Sequence, residues 1–240
     1  LDGAAELLAA EARGDPAQAA LRLLASVAEP LDGSPETCSG LTVTDFEILL
    51  LALRRDLFGT LVRSDFTCPE VGCCDRVEIE FSLTDYLAAV RPRLPRGVTA
   101  LADRPGWWRI GEVAFRLPSA GDQITAQASA DGAALLVALC LDPPTAPAPL
   151  RARAERAMAA MAPEVSGPIG GQCPSCGASL NALFHAPSFV MGEMRRAVGL
   201  LAEEVDLIAS AYRWSEADIL ALPRVRRQAY AERIRRRLAA

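Results

Sequence analysis

The residues of this chain best suited to chemistry are its cysteines. Cys173-Pro-Ser-Cys176-Gly177 places two thiols at a spacing that directs both sulfurs at one ion, with the glycine relieving crowding so that backbone N–H groups face them. A tetrahedral Zn2+ takes four such ligands. A second cysteine turn, Cys68-Pro-Glu-Val-Gly-Cys73-Cys74, offers Cys68 together with either Cys73 or Cys74. Four thiolates leave no open position, so a zinc held this way is structural and not catalytic. A redox dithiol would call for a βαβ context that the flanking sequence lacks. Cys38, in a linker, and Cys140, on an apolar helix, read as structural thiols. His185 is the only histidine and is too isolated for a Ser–His–Asp or Cys–His site; a strand end suits it better. Gly167-Pro-Ile-Gly-Gly-Gln172 lacks the lysine and the strand–helix setting of a phosphate loop. No catalytic set emerges, and the chain is expected not to be an enzyme.

The elements that must position these thiols follow from periodicity. Residues 4–12 and 16–29 read as two alanine-rich helices, and 30–40 as a turn-rich linker. Thr44 and Glu47 have capping-box spacing, which predicts a helix from Asp45 to Phe58 that stops at Gly59. Phe46, Leu49, Leu50, Leu53 and Leu57 form its apolar side, with Arg54 and Arg55 opposite. The period then changes to two: Val62–Thr67 and Val77–Leu83 alternate as a hairpin around the first cysteine turn. Trp107–Ile110 and Glu112–Leu117 predict a second hairpin turning at Gly111, which leaves one of Trp107 and Trp108 on an outer face. Short helices are expected over 122–130 and 132–141, and another over 149–161. Arg116 and Asp122 flank a strand-to-helix turn. Gly167–Gly171 opens the second cysteine turn and a strand follows over 178–184. Val190, Met194, Ala197, Leu201, Val205, Ile208 and Tyr212 form one helical stripe; Ser215 caps a short helix and Pro223 opens the last.

Composition bounds the function. Hydrophobic residues make up 51% and charged residues 23%, the balance of a folded protein and not of a disordered one. No run approaches the roughly 20 apolar residues of a membrane helix, no secretory signal is evident, and an odd number of cysteines does not suit a secreted disulfide scaffold. A cytoplasmic protein is expected, without a membrane. All 25 basic residues are arginine, and the formal net charge is −5, so the molecule as a whole is not built to coat nucleic acid. The C-terminal end is the exception. Arg224, Arg226, Arg227, Arg233 and Arg236 there are candidates for docking a partner through charge-assisted pairs.

Several segments together resemble a family from the gene clusters of contractile phage tails and phage-tail-like injection particles, related to the baseplate hub assembly proteins of large contractile-tailed phages. They are Leu41-Thr-Val-Thr-Asp-Phe-Glu-Ile-Leu-Leu-Leu-Ala-Leu-Arg-Arg with Phe58-Gly59, the Cys-Pro turn leading into Arg76-Val-Glu-Ile-Glu-Phe, Phe115-Arg-Leu-Pro-Ser-Ala-Gly-Asp122, and Cys173-Pro-Ser-Cys-Gly. Ala211-Tyr-Arg-Trp-Ser-Glu-Ala-Asp-Ile-Leu-Ala-Leu-Pro and Arg226-Arg-Gln-Ala-Tyr230 complete the set, which covers most of residues 41–234. The family's first turn reads Cys-Pro-x-Cys-Gly. Here it is longer and Cys74 stands in the glycine's place, so the resemblance assigns Cys73, with Cys68, Cys173 and Cys176, as ligands to one structural Zn2+. It implies baseplate or tail proteins as partners and a role as an assembly chaperone, adaptor or minor subunit. The alternative is a zinc-ribbon nucleic-acid binder.

The expected fold is α+β and mainly helical. It comprises an accessory segment (1–40), a helix with the first zinc knuckle (41–83), an inserted α/β segment (84–166), the second knuckle of a split ribbon (167–186) and a C-terminal helical bundle (187–240).

Overall fold

The computed structural model describes residues 14–28 and 38–239, so the helix expected over 4–12 lies outside the described residues, as does most of the 30–40 linker. The chain is a mixture of helix and strand, in keeping with an α+β class, and it divides into two compact units. One comprises residues 38–186 and the other 14–28 with 187–239. Among the described residues no helix is long and apolar enough to cross a membrane.

In the second of these units, α1 (Pro16–Val27) begins at Asp15, whose carboxylate accepts the Ala17 and Gln18 N–H groups, with proline in the first turn. The other unit opens with α2 (Val43–Phe58). Its cap is Thr42 and not Thr44: the Thr42 hydroxyl accepts the Asp45 N–H and donates to the Asp45 carboxylate. Both threonines have an acid three residues on, and the choice is made elsewhere in the fold. Thr42 bridges to Ser119, whereas Thr44 is buried and donates to the Pro163 carbonyl, and Glu47 is occupied by Ser166. Arg54, expected on the solvent side, is 2% exposed; its guanidinium donates to the Gly59 and Leu61 carbonyls and so closes the helix C-terminus. Leu49 is exposed and Leu51 takes its place in the core.

Strands β1 (Leu61–Thr67) and β2 (Arg76–Ser82) pair antiparallel over their full length, and α3 (Leu83–Ala89) follows at once. The inserted segment is built on a four-stranded antiparallel sheet, in sequence order, of β3 (Val98–Ala100), β4 (Trp107–Ile110), β5 (Val113–Arg116) and β6 (Leu141–Asp142). Helices α4 (Ala120–Gln127) and α5 (Gly132–Leu139) lie between β5 and β6. Helix α6 (Ala148–Met161) covers the sheet with Ala154, Ala157 and Met158 against Phe115, Val113 and Ile110. The β4–β5 turn passes through Gly111, at φ +62°. Neither tryptophan stands free: Trp108 packs against Phe115, and the Arg104 guanidinium lies 3.7 Å from the centre of the Trp107 ring. At the next turn Arg116 makes a two-armed pair with Asp122, while Ser119 and Asp122 exchange the hydrogen bonds of a capping box. Those bonds outweigh burial and hold the Asp122 carboxyl below its usual range.

A second two-stranded hairpin, β7 (Gly167–Gln172) with β8 (Ser179–Phe184), ends this unit. Helix α7 (Ala186–Tyr212) then carries the expected stripe, with Val190, Met194, Leu201 and Ile208 buried. Short α8 (Glu216–Leu220), capped by Ser215, and α9 (Arg224–Leu238) pack Ile219 and Ile234 onto Ile208.

The strap from Pro163 to Ser166, which returns the chain to β7, is held by side chains from α2 and α3. Thr44 donates to Pro163 and Tyr86 to Val165, and the Glu47 carboxylate accepts both the Ser166 N–H and hydroxyl. Burial, working against those two hydrogen bonds, pushes the Glu47 carboxyl above its ordinary value of 4.5. The sign follows directly: a raised folded pKa means the contribution of Glu47 is largest when it is protonated and is lost as pH rises. Wild type should therefore lose urea stability relative to Glu47→Gln between pH 5 and pH 8; a difference in midpoints that stays constant over this range would refute the assignment.

Candidate metal centre

Each cysteine pair sits where a hairpin turns back. In the first, the Cys68 N–H donates to the Asp75 carbonyl at 2.9 Å and the Cys73 N–H to Glu70 at 3.1 Å. In the second, the Cys173 N–H donates to Ala178 at 2.9 Å and the Gly177 N–H to Cys173 at 2.8 Å. The base of each turn thus closes in the same manner, from the first cysteine N–H to the carbonyl two residues past the second, and the first turn has two extra residues between its cysteines. The residue after the second cysteine is left-handed in both: Gly177 at φ +73° and Cys74 at φ +52°. Cys74 has taken over a glycine's backbone conformation, and its side chain is exposed.

The two turns meet. The sulfurs of Cys68, Cys73, Cys173 and Cys176 all lie within 4.8 Å of one another, with Cys68–Cys176 and Cys73–Cys173 each at 3.8 Å. Both short contacts cross from one hairpin to the other. Among the described residues this is the group of potential ligands close enough to hold a metal ion. The four residues assigned from the sequence are the four that converge, and Cys74 stays outside. Cys140 is buried in the sheet core, where burial pushes its thiol up to about 11.

Backbone N–H groups support the sulfurs: Glu70 faces Cys68, Asp75 faces Cys73, and Cys176 and Ser175 face Cys173. The Cys176 and Ser175 N–H groups bring the Cys173 thiol down to about 7. At Cys73 the Asp75 N–H works against burial and the neighbouring sulfurs, which push it up to about 12. Thiols this close share protons unequally, because four adjacent negative charges need a cation between them. Around the sulfurs Val77, Leu180, Phe66 and Ala178 form a small apolar collar. At the opposite end of the hairpins Phe81, Tyr86 and Phe184 pack mutually with ring centres 5.1–5.6 Å apart.

No family model, curated protein or solved structure matches the chain. Residues distant along the chain pair up within each unit. The Val43 N–H donates to the Pro118 carbonyl and the Ala120 N–H to Leu41, and Tyr212 and Trp214 pack on Tyr230.

The arginine candidates separate. Arg227 does not belong to any accessible basic face: it is 1% exposed, and its Nε donates to the buried Glu204 carboxylate at 2.7 Å. An ion pair so buried fixes α9 to α7, and losing one partner of such a pair costs about 3–5 kcal/mol. Arg236 is exposed and lies 3.3 Å from Glu232, one turn back. Arg224 is half-buried at the helix start, and Arg226 and Arg233 are exposed. Spacing reveals that these residues share a helix, but not that Glu204, 23 residues away, claims one of them.

Cys74→Gly should keep the full metal content and raise stability by up to about 1 kcal/mol, since the left-handed backbone strains any residue with a Cβ. Loss of metal from this variant in elemental analysis would make Cys74 a ligand.

Proposed function

We propose that this protein is a non-catalytic assembly chaperone, adaptor or minor subunit for the baseplate of a contractile phage tail or phage-tail-like injection particle, built around one structural Zn2+. The observation that carries the zinc is the cross-hairpin sulfur spacing. Zn–S bonds of about 2.3 Å at tetrahedral angles imply S–S edges of about 3.8 Å. Two of the edges between hairpins have that length, and the longest separation, 4.8 Å at most, needs to close by about an ångström. Four thiolates suit zinc, and Cys68, Cys73, Cys173 and Cys176 would fill all its positions, which supports a structural ion with nowhere for substrate to bind. Two hairpins facing each other across the ion make a zinc ribbon, split by the inserted segment. The tail-assembly role rests on the sequence resemblance.

Elemental analysis of purified protein should give about one zinc per chain, and Cys176→Ser should lose the metal and expose apolar surface to a hydrophobic dye, because structural zinc contributes folding energy. A metal-free chain as stable as the loaded one would dismiss the zinc. For the role, a tagged chain recovered from its native host after nuclease treatment should bring down sheath, spike, hub or wedge proteins. Recovery of protected nucleic acid and no tail protein would sink the assembly reading.

A further inference from the structure

The structure carries an arginine–aromatic surface that the zinc does not use. Along α9, Arg226, Tyr230, Arg233 and Arg237 fall at i, i+4, i+7 and i+11 and so form one stripe about 16 Å long. The three arginines are exposed and make no ion pair among the described residues, unlike Arg227, Arg235 and Arg236 beside them. Tyr230 is half-buried in an aromatic knot: Tyr212 and Trp214 stack at 5.3 Å, and Tyr230 meets both edge-on at 5.7 and 5.2 Å. Trp214 remains 38% exposed, held beside Arg213 in a left-handed turn at φ +58°.

We propose that this stripe is a docking surface for a carboxylate-rich segment of another protein. Tryptophan, tyrosine and arginine are the residues that dominate binding at protein interfaces, and here Tyr212 and Tyr230 are supported from behind by Ile208, Ile219 and Ile234. Three uncommitted guanidiniums present forks suited to carboxylates, and a chain with a net charge of −5 has gathered them on one helix face. Single-stranded nucleic acid also seeks aromatic and arginine side chains, but it stacks bases on open ring faces. In this knot the facing surfaces of Tyr212 and Trp214 already cover each other and Tyr230 packs edge-on against both. That packing favours guanidinium–carboxylate pairing over base stacking.

This surface rests on the assembly reading and names the chemistry of its partner, and its test is separate from the capture of tail proteins. The full chain is titrated, by fluorescence anisotropy, into a labelled peptide of repeated Glu-Glu-Leu and into labelled oligodeoxythymidine. The peptide should bind, more weakly as salt is added, and about tenfold more weakly to the triple variant Arg226→Gln/Arg233→Gln/Arg237→Gln. The triple variant Arg91→Gln/Arg93→Gln/Arg96→Gln, altered at exposed arginines of the other unit, should bind as wild type does. Circular dichroism checks that both variants fold. The proposal is overturned by absent peptide binding, by equal loss in both variants, by the oligonucleotide binding in place of the peptide, or by self-association that the stripe variant abolishes. A chain that ignores the peptide yet still captures tail proteins would overturn the surface and leave the assembly role standing.

Discussion

Two short hairpins, β1–β2 and β7–β8, are separated by nearly the whole inserted segment, and each alone has too few strands and too little apolar surface to persist in water. Their mutual contact at the turn end consists of four sulfurs and a thin collar of Val77, Leu180, Phe66 and Ala178. A collar of that size contributes little beside the ordering of two turns, so at this end the meeting of the hairpins rests chiefly on the sulfur cluster. At the other end the ring triad of Phe81, Tyr86 and Phe184 clamps the same two hairpins. The pair is thus fixed at two points, and a body pinned at two points cannot pivot about either.

The rest of the unit supplies the geometry that lets the turns meet. The second hairpin arrives along the Pro163–Ser166 strap, and Thr44, Glu47 and Tyr86 hold its backbone polar groups. Ser166 in turn accepts the Ala186 N–H at 2.9 Å, where α7 begins, so one hydroxyl ties helix α2 to the end of the second hairpin. Buried polar groups arranged in this way specify position more than they add stability, because each loses water and regains one partner.

Much of this could be read in the sequence, where the deciding interaction was local. The cysteine spacing marked the two turns and left Cys73 and Cys74 as alternatives, between which the resemblance chose, and alternating residues placed β1, β2, β4, β5 and β8. Gly111 and Ser215 marked a turn and a cap. What escaped the sequence was decided by residues far along the chain. Thr42 and Thr44 satisfy the same capping rule, and only the Ser119 bridge and the Pro163 carbonyl separate them. Strand β7, almost free of side chains in Gly167-Pro-Ile-Gly-Gly-Gln, has no period of its own and acquires its conformation by pairing with β8. Strands β3 and β6 are too short to show a period. Arg227 read as a docking charge because Glu204 is 23 residues away, while Arg54, read as solvent-facing, reaches carbonyls only five and seven residues on, which leave no mark in a sequence because every residue has one.

The strap has a consequence for how such a protein can be rebuilt. Tyr86, just after the first hairpin, touches Val165, just before the second, so the chain leaves the paired hairpins and returns to them at one place. Everything between is an excursion with adjacent endpoints, the arrangement in which whole segments are exchanged without disturbing their host. A brief turn across that gap would give a miniature, contiguous pair of hairpins, and a different domain spliced there would inherit the same anchorage. The paired hairpins are in this sense a socket, and the inserted sheet is the cargo that it carries.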